Sequence, residues 1–153
     1  MRCVVQRVRE ARVRVEGRTT ASLGTGLVVF VGLARGDGGG DLDWLVGKVA
    51  RLRVFDDPDG RMNLSVDQVG GGLCVVSQFT LLGDCRRGNR PSYVEAMPVE
   101  EARAFWPRVE AAFRATGIPC VFGEFQAQMA VELVNDGPVT LVLDSRSRQG
   151  VEG

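Results

Sequence analysis

Two apolar runs constrain this chain before anything else does. Leu27-Val28-Val29-Phe30-Val31-Gly32-Leu33 is unbroken by any polar side chain, and so is Leu73-Cys74-Val75-Val76. A half-buried strand alternates; unbroken runs of this kind belong to strands buried on both faces. Each needs cover above and below, and 153 residues are enough to supply it within one domain.

The remaining elements are read around those two strands. Residues 2–8 and 11–16 alternate apolar with polar and are predicted to be paired strands, with Glu16-Gly17-Arg18 as a turn. Gly36 to Gly40 is a flexible loop without the spacing of a phosphate cradle. Asp41 can cap a helix carrying Leu42, Leu45, Val46, Val49 and Leu52, with Trp44 at its flank. Asp56-Asp57-Pro58-Asp59-Gly60 is a turn, and its acids lack the spacing of a calcium loop. A helix over 99–116 carries Ala102, Phe105, Trp106, Val109, Ala112 and Phe113 on one face and stops at Gly117. Pro107 inside it is expected to kink the helix or split it. Residues 144–153 form a polar tail expected to fray, leaving 1–143 as the folded unit. The order predicts a single α+β domain with two main helices and mostly antiparallel β-sheets, barrel-like or arranged as two sheets.

Composition narrows the chemistry more than the fold. The chain has no histidine. That removes His-based triads, the usual general base near pH 7 and the commonest zinc ligand. No metal or cofactor is implied by any motif. Formal net charge is zero, so no overall field points to nucleic acid. One basic loop, Arg86-Arg87-Gly88-Asn89-Arg90, is either a phosphate contact or a solvated surface. Cys3, Cys74 and Cys120 lie in apolar runs and read as core, whereas Cys85 sits in a polar loop. No apolar run reaches the ~18–20 residues that span a bilayer. Arg7 and Arg9 interrupt the beginning of the chain before a signal-peptide core can form. The expectation is a cytoplasmic protein with no membrane contact.

Two polar stretches could carry chemistry. Ser77-Gln78-Phe79-Thr80 follows directly on the second buried strand, a common position for a site. Taken alone it could equally be strand-end hydroxyls capping backbone groups. Val134-Asn135-Asp136-Gly137-Pro138-Val139-Thr140 reads as a turn between two alternating strands. Gly137 permits unusual φ, and Gly137-Pro138 is a bond at which a cis peptide is accessible.

Ser-Gln-Phe-Thr-Leu at 77–81 together with Asn-Asp-Gly-Pro-Val-Thr at 135–140 closely resembles the motif pair of the D-aminoacyl-tRNA deacylases. The likeness extends to Val-Gln-Arg-Val (5–8), Met62-Asn63-Leu64, Arg90-Pro91-Ser92-Tyr93 and Gly123-x-Phe125-x-Ala127-x-Met129, and covers about residues 1–143.

The resemblance implies the fold of those deacylases and a homodimer with its active sites at the interface. It implies hydrolysis of the ester between a D-amino acid and the 3′ end of tRNA, in translation proofreading, with glycyl-tRNA as a further substrate. No DNA partner is implied. Gly137 and Pro138 would form a cis pair that enters the other subunit's site and rejects L-amino acids with main-chain carbonyls. Arg7 would steady those carbonyls, and Asn135 belongs to the same motif. Backbone N–H groups of Phe79 and Thr80 would hold the oxyanion and Gln78 would order the site, with Ser77 beside them. Phe125 either packs on the terminal adenine or belongs to the core, and Met129 either lines that pocket or does the same. Two rivals remain: a non-catalytic dimeric RNA-binding module of the same fold, and a general serine or threonine esterase. The second is disfavoured because no base is present to activate a hydroxyl.

Overall fold

The computed structural model describes residues 1–150. Along them run β1 (Arg2–Val15), β2 (Arg18–Leu23), β3 (Gly26–Gly32), α1 (Gly39–Arg51), β4 (Phe55–Asp56), β5 (Met62–Leu64), β6 (Gly72–Ser77), α2 (Val99–Arg114), β7 (Cys120–Phe122) and β8 (Met129–Asp144). Short 3-10 turns occupy Phe79–Leu82 and Ser145–Gly150. The order β2-β1-β3-β6-β7, with β8 on the other edge of β1, makes one mixed sheet; β4 and β5 make a small second one. Pairings of β1 with β2, β3 and β8 are antiparallel, while β3–β6 and β6–β7 are parallel. The sheet curls nearly into a barrel, bringing Leu23 of β2 against Gly72 of β6. The expected α+β class with two helices is borne out.

The unbroken runs become β3 and β6, neighbours at the heart of the sheet, and both faces are covered as expected. Leu27, Val29, Val31, Leu73 and Val75 face the helices, against Leu45 and Val49 of α1 and Trp106, Val109 and Phe113 of α2. Val28, Cys74 and Val76 face inward to a smaller core with Val8, Ala11, Val13 and Ala21. Burial of each such side chain stabilises the fold by roughly 1.5–3 kcal/mol.

Residues 2–8 and 11–16 are not partners of each other. They are one strand, and the turn at Glu16 (φ 50) and Gly17 (φ 76) returns the chain into β2. The break in alternation at Arg9-Glu10 is a bulge: Val8 pairs with Asn135 and Glu10 with Val134. Cys3 and Val5 face the helix side and Val8 the inner side, and the extra residue keeps Ala11 and Val13 on the same inner side as Val8.

The turn expected at 134–140 is corrected likewise. Both flanking segments pair antiparallel with the same strand β1, Leu141 to Val5 and Leu133 to Ala11, with the register shifting between them. Residues 136–139 are therefore an excursion from one strand, extruded where Gln6 pairs with Thr140 and Val8 with Asn135.

Helix α1 begins two residues before the expected cap, at Gly39, and the Gly38 N–H donates to the Asp41 carboxylate at 3.0 Å. Asp41 thus serves from inside the first turn. Helix α2 passes through Pro107 as a single unit. Pro107 and Arg103 lie on its exposed face, where water can satisfy the carbonyl that the proline leaves without a donor.

The tail does not fray from Asp144. Arg2 donates two hydrogen bonds to the Asp144 carboxylate, at 3.1 and 2.9 Å. Ser145 is buried, its N–H donating to the Met1 carbonyl at 2.8 Å and its hydroxyl accepting from the Met1 ammonium at 2.8 Å. Residues 151–153 of the tail lie outside the described residues. Among those described, no helix is long and apolar enough to cross a membrane.

Candidate functional site

Strand β6 delivers the first polar stretch to the end of the sheet. Its pairing with β3 finishes at Val31–Ser77, and the Gln78 N–H then donates to the Val31 carbonyl at 2.8 Å. The chain turns at once through Phe79–Leu82, with Leu81 N–H donating to Gln78 O at 3.3 Å and Gly83 N–H to Thr80 O at 3.0 Å. Phe79 and Thr80 open this turn, so their own N–H groups have no intrahelical acceptor. Neither finds another main-chain acceptor among the described residues. Thr80 is exposed, and its hydroxyl accepts from the Gln78 side-chain amide.

A cavity of about 590 Å³ opens at this point, lined by Ser77, Gln78 and Phe79 on one side and by Phe125 and Met129 on another. That size suits a small organic ligand. Phe79 is 58% exposed at the mouth, and Tyr93 meets it edge to face with centroids 5.0 Å apart. Phe125 stacks on Trp106 at 5.7 Å, packs against the core and also lines the cavity. Met129 reaches Gly123, where a Cβ would come within 2.8 Å of its sulfur.

The cavity wall includes no carboxylate, thiol or imidazole. Burial pushes the Cys74 thiol up to about 11 and the Cys3 thiol up to about 12, so both stay protonated and non-nucleophilic near neutrality. No group of three or more His, Cys, Asp or Glu side chains placed to hold a metal occurs among the described residues.

The second motif forms a separate cluster. The Gly137-Pro138 peptide is cis, Gly137 has φ +113, and both residues are exposed at the tip of the excursion. Asn135 closes its neck, donating from Nδ2 to Arg7 O at 2.9 Å and to Val139 O at 3.0 Å. Arg7 is 92% withdrawn from solvent at its 8% exposure, and its Nε donates to Asp136 O at 3.3 Å. The same guanidinium donates to Val54 O at 2.7 Å and lies 3.5 Å from the Asp56 carboxylate. A Cβ on Gly137 would stand 2.9 Å from that guanidinium.

Within one chain the two clusters are apart. Arg2 pairs with Gly32 at the Phe79 end, where its guanidinium also donates to Leu81 O at 2.8 Å; Arg7 pairs with Leu27. The separation along β1 is five residues, on the order of 17 Å at strand rise. Ser77, Gln78, Phe79, Phe125 and Met129 share the cavity; Arg7, Asn135, Gly137 and Pro138 do not reach it, and Thr80 sits outside its rim. Sequence reasoning assigned no site role to Tyr93, Trp106 or Arg35, all of which line it. Tyr93 was within reach, since it ends one of the matching stretches; Trp106 reads only as helix core, and nothing local marks Arg35.

Comparison with known proteins adds an independent finding. The family model described as D-Tyr-tRNA(Tyr) deacylase matches residues 4–144. A D-aminoacyl-tRNA deacylase of Thermotoga petrophila is 52% identical over 145 residues, 95% of this chain and 97% of the relative. The corresponding protein of Anaeromyxobacter dehalogenans is 54% identical over 146 residues, 95% of this chain and 98% of the relative. A solved structure described as a c-Myc DNA unwinding element binding protein superposes with TM-score 0.88 at 37% identity, covering 94% of this chain and 98% of that one. A probable eukaryotic D-amino acid tRNA deacylase, at 15% identity and TM-score 0.77 over 93% and 97% of the two chains, shares the fold. By sequence across nearly its whole length, this chain belongs to the D-Tyr-tRNA(Tyr) deacylase family.

Proposed function

We propose that this protein hydrolyses the ester linking a D-amino acid to the 3′-terminal ribose of tRNA, releasing free D-amino acid and tRNA. The observation that carries the mechanism is the pair of unpartnered N–H groups at Phe79 and Thr80, in the turn beside a cavity with no carboxylate, thiol or imidazole in its wall. Water adds to the ester carbonyl, the carbonyl oxygen takes the negative charge, and the two N–H groups hold it. Collapse of this intermediate expels the ribose oxygen, which takes up the proton that the water gives up on addition and leaves as the 3′-hydroxyl. An aminoacyl ester is already activated, and the neighbouring ribose 2′-hydroxyl assists delivery of water. The protein's part is therefore positioning: Gln78 holds Thr80, Ser77 stands beside them, Phe125 packs on the terminal adenine and Met129 lines the same pocket.

Chiral selection is assigned to Gly137 and Pro138 of the second subunit in a homodimer. The distance between the two clusters along β1 supports this, because one chain does not complete the site by itself. Main-chain carbonyls facing the substrate α-carbon exclude an L side chain whatever its chemistry, while glycine passes. Arg7 and Asn135 hold the loop that presents them. In the cytoplasm such an enzyme serves translation by returning wrongly charged tRNA to use.

The test is hydrolysis of D-tyrosyl-tRNA with L-tyrosyl-tRNA spared; equal rates, or none on either, would sink the proposal. A substrate whose terminal ribose lacks the 2′-hydroxyl should react poorly, and full activity on it ends the idea of RNA assistance. The rival, a nucleic-acid-binding module without catalysis, has in its favour the description of the structure that is 37% identical, and it requires binding without turnover.

A further inference from the structure

We propose that the arginine-bearing hairpin between Asp84 and Ser92 grips phosphates of the RNA strand that leads into the cavity. The inference rests on the deacylase reading above. Asp84 and Ser92 close the hairpin with reciprocal backbone hydrogen bonds of 2.8 and 2.9 Å. Beyond them the tip, Cys85 to Pro91, carries Arg86, Arg87 and Arg90 and no acid, all exposed. Asp84 engages Arg86 through hydrogen bonds of 2.9 and 2.7 Å. Arg87 and Arg90 make no ion pair or side-chain hydrogen bond among the described residues, while two of the acids that follow are occupied: Glu95 lies 3.5 Å from Arg146 and Glu100 3.4 Å from Arg103. A chain of zero net charge thus presents a local cationic excess at this place.

The place is beside the site. Tyr93, directly after the closure, lines the cavity and packs edge-on against Phe79. Gly83, directly before it, is so enclosed that a Cβ would stand 3.0 Å from both the Tyr93 ring and the Thr80 carbonyl. Both roots of the hairpin are therefore fixed to the turn that carries the unpartnered N–H groups. An RNA whose 3′ end occupies the cavity has to leave across its rim. The tip bends through residues 86–90 just beyond the closure, and each exposed guanidinium extends its reach along the rim. Guanidinium groups suit phosphate by geometry and charge, with no dependence on base sequence.

The experiment compares D-tyrosyl-tRNA with 2′(3′)-O-D-tyrosyl-adenosine, which carries the ester and adenine but none of the phosphates. For Arg87→Gln/Arg90→Gln, kcat/KM on the tRNA substrate should fall on the order of tenfold at low salt, while the adenosine ester stays within about twofold of wild type. Loss of two single-strand phosphate contacts lowers the salt slope by about 1.4, so between 50 and 200 mM salt the variant should lose about sevenfold less than wild type. Arg87→Lys/Arg90→Lys should restore most of the tRNA activity. Equal losses on both substrates, no loss on tRNA, or an unchanged salt slope would overturn the proposal. Wild-type protein inactive on both substrates would bring down the deacylase reading itself, and this inference with it.

Discussion

Arg7 reaches Asp136 twice, its Nε donating to the backbone carbonyl at 3.3 Å and standing 3.4 Å from the carboxylate. The residue that holds the excursion is thus itself held, because the same guanidinium is anchored to Val54 O. Arg9 secures the other carboxylate oxygen of Asp136 at 2.9 Å. Arg7→Lys keeps the charge but has one nitrogen where the fork had several, so it cannot bind Asp136 and Val54 together. Urea denaturation should show a loss of about 2 kcal/mol, and hydrolysis of D-tyrosyl-tRNA should fall with it.

The N–H groups in the turn beside the cavity are separable from the side chains that carry them. Phe79→Ala keeps the N–H and removes the ring; Phe79→Pro removes both, at a first-turn position that suits proline. The proline variant should be slower than the alanine variant by about 10²–10³ in kcat if this N–H holds an oxyanion. Thr80→Ala should retain near-normal turnover. A collapse in Thr80→Ala would point instead to covalent catalysis by its hydroxyl.

Pro107 interrupts the hydrogen-bond ladder of α2 without splitting the helix. Pro107→Ala restores a donor for the Arg103 carbonyl on an exposed face. The intrinsic preference of about 3 kcal/mol is partly offset by the greater freedom of the unfolded chain, so denaturation should show a gain of about 1–2 kcal/mol. Activity should not change.

Acid should weaken the clasp between the two ends of the described chain. Burial opposes ionisation of Asp144, but hydrogen bonds from the Arg146 N–H and the Arg2 side chain outweigh it and hold its carboxyl below the ordinary 3.8. A depressed carboxyl contributes stability that is present above 3.8 and is lost as pH falls through the lower folded value. Wild-type stability should therefore drop across this window, and Asp144→Asn should show a shallower drop with lower stability at pH 7. Parallel acid profiles for the two proteins would remove Asp144 as a contributor.

How far these features were legible differs from residue to residue. The all-apolar segments 27–33 and 73–76 declare their burial, because a strand with no polar face has nowhere else to go. The helix of α1 is equally plain in the spacing of Leu42, Leu45, Val46 and Val49. Bulges are not legible in this way. At Arg9-Glu10 a lapse in alternation looks the same whether the chain reverses or merely slips by one residue, and only the partner strand distinguishes them. Asn135 to Thr140 deceived for the same reason: Gly-Pro chemistry announces a bend, but pairing of both flanks with β1 makes it an excursion.

The sequence by itself determined the class of the fold, the absence of a histidine base, and the pair of motifs that place the chain in its family. These are local properties, written in side-chain polarity and in the conformational limits of glycine and proline. Tertiary structure alone decided that Tyr93 and Trp106 join Phe79 and Phe125 around one cavity, and that Gly137-Pro138 stands apart from it within the same chain. Those relations depend on register between segments more than a hundred residues apart, such as Arg7 beside Asn135. Register is set by the summed burial of whole strands, which no single stretch encodes.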